Sequence, residues 1–478
     1  MPRAVATVVY AVGILGLFYL DRHEDSWMSK ALWIPAVWLF LTSSRGVTLW
    51  LGIAPPRGSA DVYVEGSPID MAILTVLVIA ALAVVIRRMD RVGPLLRKNG
   101  PILLFFAFCA VSVLWSDFPF VAFKRWIKSV GDLLMVLVIL TEPDPMGVLK
   151  RLITRLGLIL FPLSVLLGKY YPLVGRRLTN SWTEEITGVT TQKNSLGLIC
   201  MLYGLGFLWL LHAVYLDRAN PSRTRRLAAY GTILVMIAWL LAECNSTTSI
   251  AGLIMAGGVM LLAMRPSLVL KPAAVHMLVL AVLFVALFPI FLDSSVLSAV
   301  GKDPTLTGRT ETWRLLLSMP INPWVGTGFE SFWLGDRLQA LWSLKFYENF
   351  YINEAHNGYI EVYLNLGLIG VSLIGLLLLT AYWKIIAAFR RNPERGALLL
   401  GFFLAVLFES ITEAAFRIMQ PAWIFLLLTS IAASQVIALE EVAQPGNESA
   451  ECAQWIGAES AAQKWEWSDE SELRISAR

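Results

Sequence analysis

The sequence predicts an all-α membrane protein with about twelve or thirteen transmembrane helices. Of its 478 residues, 57% are hydrophobic and only 15% are charged, and the mean hydropathy is +0.64. A soluble globular chain is roughly half apolar and a quarter charged. The apolar residues here fall in blocks of about 20, the length with which a helix crosses a hydrocarbon core. Because these blocks are continuous rather than alternating, they favour helices over a β-barrel.

The blocks predict the order of the spans along the chain. The first block is followed by the acidic stretch DRHEDSW instead of a small-residue cleavage site, so it is predicted to be a span and not a signal peptide. Ser43, Ser44 and Arg45 interrupt the second block, which leaves the count between twelve and thirteen. The predicted spans are 4–20, 31–50, 70–86, 101–115, 127–141, 152–168, 194–216, 227–243, 249–264, 272–292, 357–383, 396–414 and 418–438.

Orientation follows from the short basic loops, because Lys and Arg are enriched on the cytoplasmic side. Five such loops fall on one side of the predicted spans: 87–100, 149–155, 217–226, 264–271 and 389–395. The opposite, outer side receives the turn SDFPF, a loop at 168–192, the short NSTTS connection and a large loop at 293–355. The N-terminus lies outside with thirteen spans and inside with twelve.

The predicted organisation has five parts. N-terminal spans occupy 1–100, central spans occupy 101–292, and the large outer loop occupies 293–355. C-terminal spans occupy 356–439, and the tail 440–478 lacks apolar periodicity and is rich in Glu, Ala, Ser and Gln. This composition predicts a disordered, cytoplasmic, acidic tail.

Charge and cysteine usage exclude several classes of site. The net charge of +4 is carried by short loops rather than a basic face with interleaved aromatic residues, so no nucleic-acid partner is predicted. The four cysteines lie far apart and show no metal-ligand spacing, so neither a metal centre nor a structural disulfide is expected. The sequence likewise predicts no cofactor.

An ionisable cluster lies at the lip of the span that begins near 357. His356 is one of only four histidines, and an imidazole accepts a proton near neutral pH. Asn357, Glu361 and Asn365 follow at four-residue spacing and predict a polar stripe on one helix face. An interfacial histidine that caps a span and contacts lipid headgroups explains the same pattern, so both interpretations stay open.

Arginines in the outer loops oppose the positive-inside bias, so anionic partners are expected for them. These are Arg176, Arg177 and Arg309. The partner is either a loop carboxylate or a phosphorylated ligand, which a planar guanidinium binds well. Three glutamates near the outer span ends suit pairing with Arg417 or with each other as well as they suit sugar binding: Glu243, Glu409 and Glu413. Further candidates for substrate contact at this face are Arg125, Lys128, Lys193, Asn194, Glu311, Asn357 and Glu361.

Three groups of motifs follow one another along the chain: GVTTQKNSLG, then TGRTETW and PINPWVGTGFESF, then EAHNGYIEVYLNLGLIG. In this order they resemble the O-antigen ligase and polysaccharide polymerase family of bacterial envelope proteins. SVLWSDFPFVAFKRW and STTS are similar to the exopolysaccharide-polymerase branch, and the resemblance covers most of 101–380.

The resemblance implies a GT-C-like glycosyltransferase of the bacterial inner membrane, with its active site facing the periplasm and its large periplasmic loop before a late span. Its donor would be a glycan on undecaprenyl pyrophosphate, set among membrane lipids. His356 would match the catalytic base, and Arg309 with Arg177, or its neighbour Arg176, would match the pyrophosphate-binding arginines.

Such a reaction suits the residues present. A lipid pyrophosphate leaves with little acid help, but its growing charge needs stabilising groups such as guanidinium ions. No Asp-rich outer cluster of the kind that holds Mg²⁺ is evident, so metal-independent transfer is expected. Direct attack on the opposite face of the donor sugar would invert its anomeric configuration.

Three functions remain open at this point. The first is a polymerase that joins lipid-linked repeat units into exopolysaccharide, with a flippase and a chain-length regulator as partners. The second is a ligase that transfers glycan to a lipid A-core or another acceptor. The third is a transporter or flippase of lipid-linked glycan, which is disfavoured because polar residues of transporters gather near the bilayer midplane rather than at one face.

Overall fold

The computed structural model describes residues 1–22, 29–53, 66–178, 184–265, 272–291, 309–343 and 352–443. Most of this part is helical, and its two short strands, β1 (Arg176–Leu178) and β2 (Glu184–Ile186), pair with each other in antiparallel register. The predicted all-α membrane class is therefore confirmed. Most of the predicted tail, from 444 to 478, lies outside the described residues.

The helices follow the predicted blocks closely. Short 3₁₀ turns at Lys30–Leu32 and Ser112–Trp115 extend two of them. In chain order the helices are α1 (Arg3–Leu20), α2 (Trp33–Thr42), α3 (Val47–Trp50), α4 (Pro68–Arg87), α5 (Met89–Arg97), α6 (Gly100–Val111), α7 (Pro119–Leu140), α8 (Pro145–Tyr170), α9 (Pro172–Gly175), α10 (Lys193–Leu216), α11 (Arg223–Cys244), α12 (Thr247–Ala263), α13 (Pro272–Phe291), α14 (Arg309–Ser318), α15 (Gly335–Trp342), α16 (Gly358–Arg391), α17 (Pro393–Thr412) and α18 (Pro421–Ala443).

Eight helices of the described part are long and apolar enough to cross a membrane, namely α1, α4, α8, α10, α11, α16, α17 and α18. A ninth candidate is a broken span in which α5 and α6 meet at 92°. The predicted twelve or thirteen exceeds this number in part because two blocks, Lys30–Thr42 and α12, fold as shorter apolar helices. A block of apolar residues therefore predicts a helix more reliably than it predicts a full crossing.

The helices differ in how deeply they lie inside the bundle. In α1 and α4 only 11% and 17% of the apolar window is buried, whereas in α17 the figure is 83%. A helix that is apolar all round and exposed suits contact with lipid, while a buried one forms the protein core. The helices α8, α10, α17 and α18 accordingly form the centre of the bundle, and α16 packs closely on α17 and α18.

Arg45 explains the interruption of the second apolar block. Its guanidinium leaves the helical segment and donates hydrogen bonds to the carbonyl oxygens of Val174, Gly188, Val189 and Thr190, at 2.7 to 2.9 Å. These carbonyls belong to the loop predicted at 168–192, so Arg45 binds that loop to the N-terminal part of the bundle.

A break in α16 determines how the large loop sits on the membrane helices. Gly367 has a φ of 63°, which interrupts the helix and frees backbone groups on both sides. The loop PINPWVGTG binds those groups: the N–H groups of Thr327 and Gly328 donate to carbonyls before the break, at 3.2 and 2.9 Å. Two N–H groups after the break donate to carbonyls of Pro323 and Trp324 in the loop. Such pairing is required where helical hydrogen bonding stops in an apolar environment.

The two backbones approach so closely that Gly367 has no room for a side chain. A Cβ at this position would lie 2.3 Å from the carbonyl carbon of Trp324, and the positive φ adds its own strain. We therefore expect Gly367→Ala to lower the midpoint of thermal unfolding of the detergent-solubilised protein, with the φ strain alone costing about 1–3 kcal/mol.

Gly375→Ala is the matched control, because it lies in the same helix and a Cβ there meets nothing within 4 Å. Equal unfolding midpoints for the two variants would show that the loop and the helix break do not depend on this contact.

Candidate functional site

Glu413, directly after α17, joins three segments that are far apart in the sequence. Its Oε2 lies 2.9 Å from Nδ1 of His356. Its Oε1 accepts hydrogen bonds from Nη2 of Arg309 and Nδ2 of Asn194, both at 2.7 Å. The structure thus brings together the predicted base, one predicted pyrophosphate-binding arginine and one further predicted substrate contact.

His356 lies in a turn that the following residue, Asn357, holds in place. It has a φ of 48°, and the next residue, Asn357, caps α16 by accepting hydrogen bonds from the N–H groups of Tyr359 and Ile360. The amide of Asn357 donates to the carbonyl of Ile411 at 3.0 Å, which ties this turn to the end of α17. We assign the Nδ1 proton of the neutral imidazole to the Glu413 contact, so that Nε2 carries the lone pair that can accept a proton.

The electrostatics of this pair favour the charged forms. Burial alone would lower the pKa of His356, but Glu354 and the hydrogen bond with Glu413 outweigh it and raise that pKa above its usual 6.5. Burial alone would raise the pKa of Glu413, but the hydrogen bond with His356 and the charge of Arg309 hold it below its usual range. A carboxylate that fixes one imidazole nitrogen and stabilises the imidazolium is the arrangement of a general base.

A second, deeper cluster surrounds Arg417. Its guanidinium lies 3.4 Å from Glu330, 3.8 Å from Glu354 and 3.7 Å from Glu361, and it donates to the carbonyl of Asn353 at 3.0 Å. Burial opposes this charge, but the carboxylates, Glu330 first, raise the pKa of Arg417 above its ordinary value. Arg417 thereby connects the loop after α17 with PWVGTGFES, with the segment before His356 and with α16.

Two residues of the predicted polar stripe have structural partners. Glu361 is buried and accepts hydrogen bonds from Nε1 of Trp333 at 2.6 Å and from the N–H of Ala355 at 2.9 Å. Asn357 serves as the helix cap already described. Glu361 therefore holds the large loop on α16, and Asn357 ties the start of α16 to the end of α17. The contact of either side chain with substrate stays a prediction.

The arginine pair of the 168–192 loop lies on β1, beside rather than inside the Glu413 cluster. Arg176 donates to the carbonyl of Gly168 at 2.8 Å and to Glu184 at 3.0 Å. Arg177 is exposed and lies opposite Glu185, which pairs with Lys193 at 2.7 Å. Among the described residues, Arg177 makes no hydrogen bond or ion pair with His356, Arg309 or Glu413, and the link between the two regions runs through Lys193 and its neighbour Asn194.

The remaining predicted contacts lie around the edge of the site. Arg125, on α7, donates to the backbone carbonyl of Glu330, and Lys128 lies one turn further along the same helix. Glu311 is exposed in the first turn of α14, two residues after Arg309. Their roles toward substrate stay predictions.

One group in the described part of the chain has the donor atoms of a metal site. Ligand atoms of Glu354, His356 and Glu413 lie within 4.8 Å of one another. One imidazole and two carboxylates would suit Zn²⁺. Arg309 and Asn194 already donate to Glu413, however, and Arg417 faces Glu354, so cations of the protein itself lie against these carboxylates. The expectation of a metal-independent site stays a prediction.

Sequence reasoning missed the central position of Glu413 and the roles of Glu330 and Glu354. The sequence predicts that Glu413 pairs with Arg417 or another glutamate, or binds sugar, whereas the structure pairs it with His356, Arg309 and Asn194. The available signal was that several acidic residues stand at the outer ends of apolar segments, where a carboxylate is expected to find a cationic partner.

Comparison with known proteins agrees with this architecture. Residues 231–375 match the family described as O-antigen ligase. The chain is also similar to the exopolysaccharide production protein ExoQ of Rhizobium meliloti (strain 1021). The two are 28% identical over 312 residues, which is 61% of this chain and 67% of ExoQ. Both findings are similarities to the O-antigen ligase and polysaccharide polymerase family, over part of the chain.

The O-antigen ligase match covers only part of the site. It includes Arg309 and His356, together with the broken helix α16 as far as residue 375. Asn194, Glu413 and Arg417 lie outside the matched range. The contact between His356, inside the matched range, and Glu413, outside it, is therefore seen only in the structure.

The Arg417 cluster generates a prediction about stability. Removing this charge leaves Glu330, Glu354 and Glu361 without their shared cation, and breaking a buried ion pair on one side costs about 3–5 kcal/mol. We therefore expect Arg417→Met to lower strongly the thermal unfolding midpoint of the purified protein.

Arg314→Met is the control, because Arg314 is exposed on α14. A midpoint for Arg417→Met that matches this control would mean that the carboxylates do not depend on Arg417.

Proposed function

We propose that this protein is a glycosyltransferase that joins undecaprenyl-pyrophosphate-linked repeat units into exopolysaccharide at the periplasmic face of the inner membrane. The observation that carries the proposal is the convergence of His356, Arg309 and Asn194 on the single carboxylate of Glu413. The O-antigen ligase match over 231–375 and the similarity to an exopolysaccharide production protein support the same class of reaction.

In the proposed reaction, His356 acts as the general base. Its Nε2 takes the proton of the acceptor hydroxyl while that oxygen attacks the anomeric carbon of the donor sugar. The new glycosidic bond forms as the bond between the anomeric carbon and the pyrophosphate oxygen breaks, and the electron pair leaves with the pyrophosphate. Glu413 holds the Nδ1 proton and stabilises the imidazolium that results. Attack on the face opposite the leaving group inverts the anomeric carbon.

Arg309 is proposed to stabilise the departing pyrophosphate. A guanidinium presents several N–H donors to phosphate oxygens in a fixed geometry and needs no metal ion to do so. Arg176 or Arg177 would act on the second phosphate, from the adjacent loop. Fixed cations of this kind stabilise charge that develops in the transition state.

Transfer of glycan to a lipid A-core or another acceptor is the second candidate, because the matched family is described as O-antigen ligase. The two reactions share the donor and differ in the acceptor.

Purified protein given only a lipid-linked repeat unit, without a membrane gradient, should yield a ladder of longer lipid-linked chains if it is a polymerase. A ligase would extend nothing until a separate acceptor is added, and a transporter would leave the donor unchanged in both assays. In the cell, a flippase is proposed to supply the donor, and a chain-length regulator to limit the product.

His356→Gln should reduce chain growth by about 10²- to 10⁴-fold, the usual contribution of a general base. The measurement is product length on a gel, normalised to the amount of protein in the membrane. His212→Gln is the control, since His212 lies near the other end of α10 from Asn194. Chain growth at the normal rate in His356→Gln would remove this histidine from the mechanism.

Arg309→Lys should also lose most of its activity, because the charge remains but the paired N–H donors are lost. Initial rates at several donor concentrations would measure the loss. Arg314→Lys, on the exposed side of the same helix, should behave like the unaltered protein. If both lysine variants keep full turnover, recognition of pyrophosphate by Arg309 is excluded.

A further inference from the structure

Glu354 is a mostly buried carboxylate that faces the imidazole of His356. Only 9% of the residue is exposed. Its closest charged groups are Nδ1 of His356 at 3.4 Å and a guanidinium nitrogen of Arg417 at 3.8 Å. Within the ranges that the structure describes, no N–H or O–H group makes a hydrogen bond to its side chain. Its oxygens are not among the fully buried atoms that lack a partner, so they keep contact with solvent, and their nearest charged groups are His356 and Arg417.

Three charged groups face the imidazole of His356. They are Glu354 on its own segment, Glu413 at the end of α17 and Arg309 at the start of α14. The carboxylate of Glu413 is shared, since its other oxygen accepts hydrogen bonds from Arg309 and Asn194. Much of its charge is therefore already neutralised by a guanidinium. Glu354 has no comparable donor, because Arg417 is further away and also faces two other glutamates.

The position of Glu354 leaves the reactive nitrogen free. Glu354 and Glu413 both lie on the Nδ1 side of the ring. On the proposed mechanism, Nε2 accepts the proton of the hydroxyl, so a group at Nδ1 does not block the acceptor. It influences the reaction by stabilising the charge on the imidazole.

We propose that Glu354 is a positioning residue that balances the positive charge acquired by His356 during transfer, while Glu413 is occupied by Arg309. The role of Glu354 during transfer rests on the proposed function. The ionic pairing of Glu354 with the imidazolium is a property of the folded protein and can be measured without substrate.

The test is a titration of His356 by NMR of ¹³C- and ¹⁵N-labelled histidine in the purified, detergent-solubilised protein. The chain has only four histidines, and the signal absent from His356→Gln identifies the one of interest. Glu354→Gln removes a negative charge near the ring, so the protonated form becomes less stable. We expect the midpoint to fall by about one pH unit, in line with the usual effect of an opposite charge at this distance.

Two further variants control the experiment. Glu354→Asp keeps the charge and should restore most of the midpoint. Asp336→Asn removes an exposed carboxylate of the same large loop, on α15, and should leave the midpoint unchanged. An unchanged midpoint in Glu354→Gln overturns the inference. If that variant does not fold, the unaltered protein still decides: a His356 midpoint below 6.5 would show that burial dominates and that the carboxylates do not stabilise the charged ring.

The pH dependence of the reaction gives a second measurement. The base must be neutral to accept a proton, so the rate rises as pH increases through the pKa of His356. In Glu354→Gln this rise should occur at lower pH, with a lower plateau because the base is weaker, and with little change in KM.

If His356→Gln were fully active, the proposed function would fail while the titration result would still stand. If His356→Gln is inactive but Glu354→Gln titrates normally, only the present inference fails.

Discussion

The polar site depends on one carboxylate being placed where a helix ends. Glu413 follows the last turn of α17, where the free carbonyl groups carry partial negative charge and attract cations. Arg309 supplies a cation to both groups: its guanidinium donates to the carbonyl of Thr412 at the helix end and to the carboxylate of Glu413. In an apolar surrounding an unpaired carboxylate is costly, so Glu413 fixes the positions of its partners as firmly as they fix its own.

The same requirement for paired polar groups operates on the backbone. Because α16 breaks at Gly367, its freed carbonyl and N–H groups need partners, and the loop around Trp324 to Gly328 supplies them. The large loop is consequently bound to the membrane helices by main-chain hydrogen bonds as well as by Arg417 and Glu361. A loop attached in this way holds His356 and Arg309 in a fixed relation, which electrostatic stabilisation of a transition state requires.

The sequence was sufficient for the fold class and for locating two residues that the structure brings together, His356 and Arg309. Apolar block length is set by local composition, so the helices could be located, and the outward Arg309 and the histidine beside a span stood out against their surroundings. The partner of each charge was not accessible in the same way. Glu413 is 57 residues from His356 and 104 from Arg309, and nothing local distinguishes it from Glu409. Likewise, the four-residue spacing of Asn357 and Glu361 indicated a shared face correctly, but only the packing shows that this face binds Trp333 and Ile411.

The present arrangement also bears on how donor and acceptor chemistry would be connected. On the proposed mechanism, Arg309 must bind a pyrophosphate that competes with Glu413 for its N–H groups. As the phosphate takes a share of that guanidinium, the carboxylate becomes less neutralised and attracts the Nδ1 proton of His356 more strongly. The imidazole then becomes a stronger base at the moment when the leaving group is in place. Glu354 has no bond to Arg309, so its contribution to the imidazole stays constant while that of Glu413 varies. On the proposed mechanism, the two carboxylates therefore have different effects on the imidazole: Glu354 stabilises its charge at all times, and Glu413 responds to the bound donor.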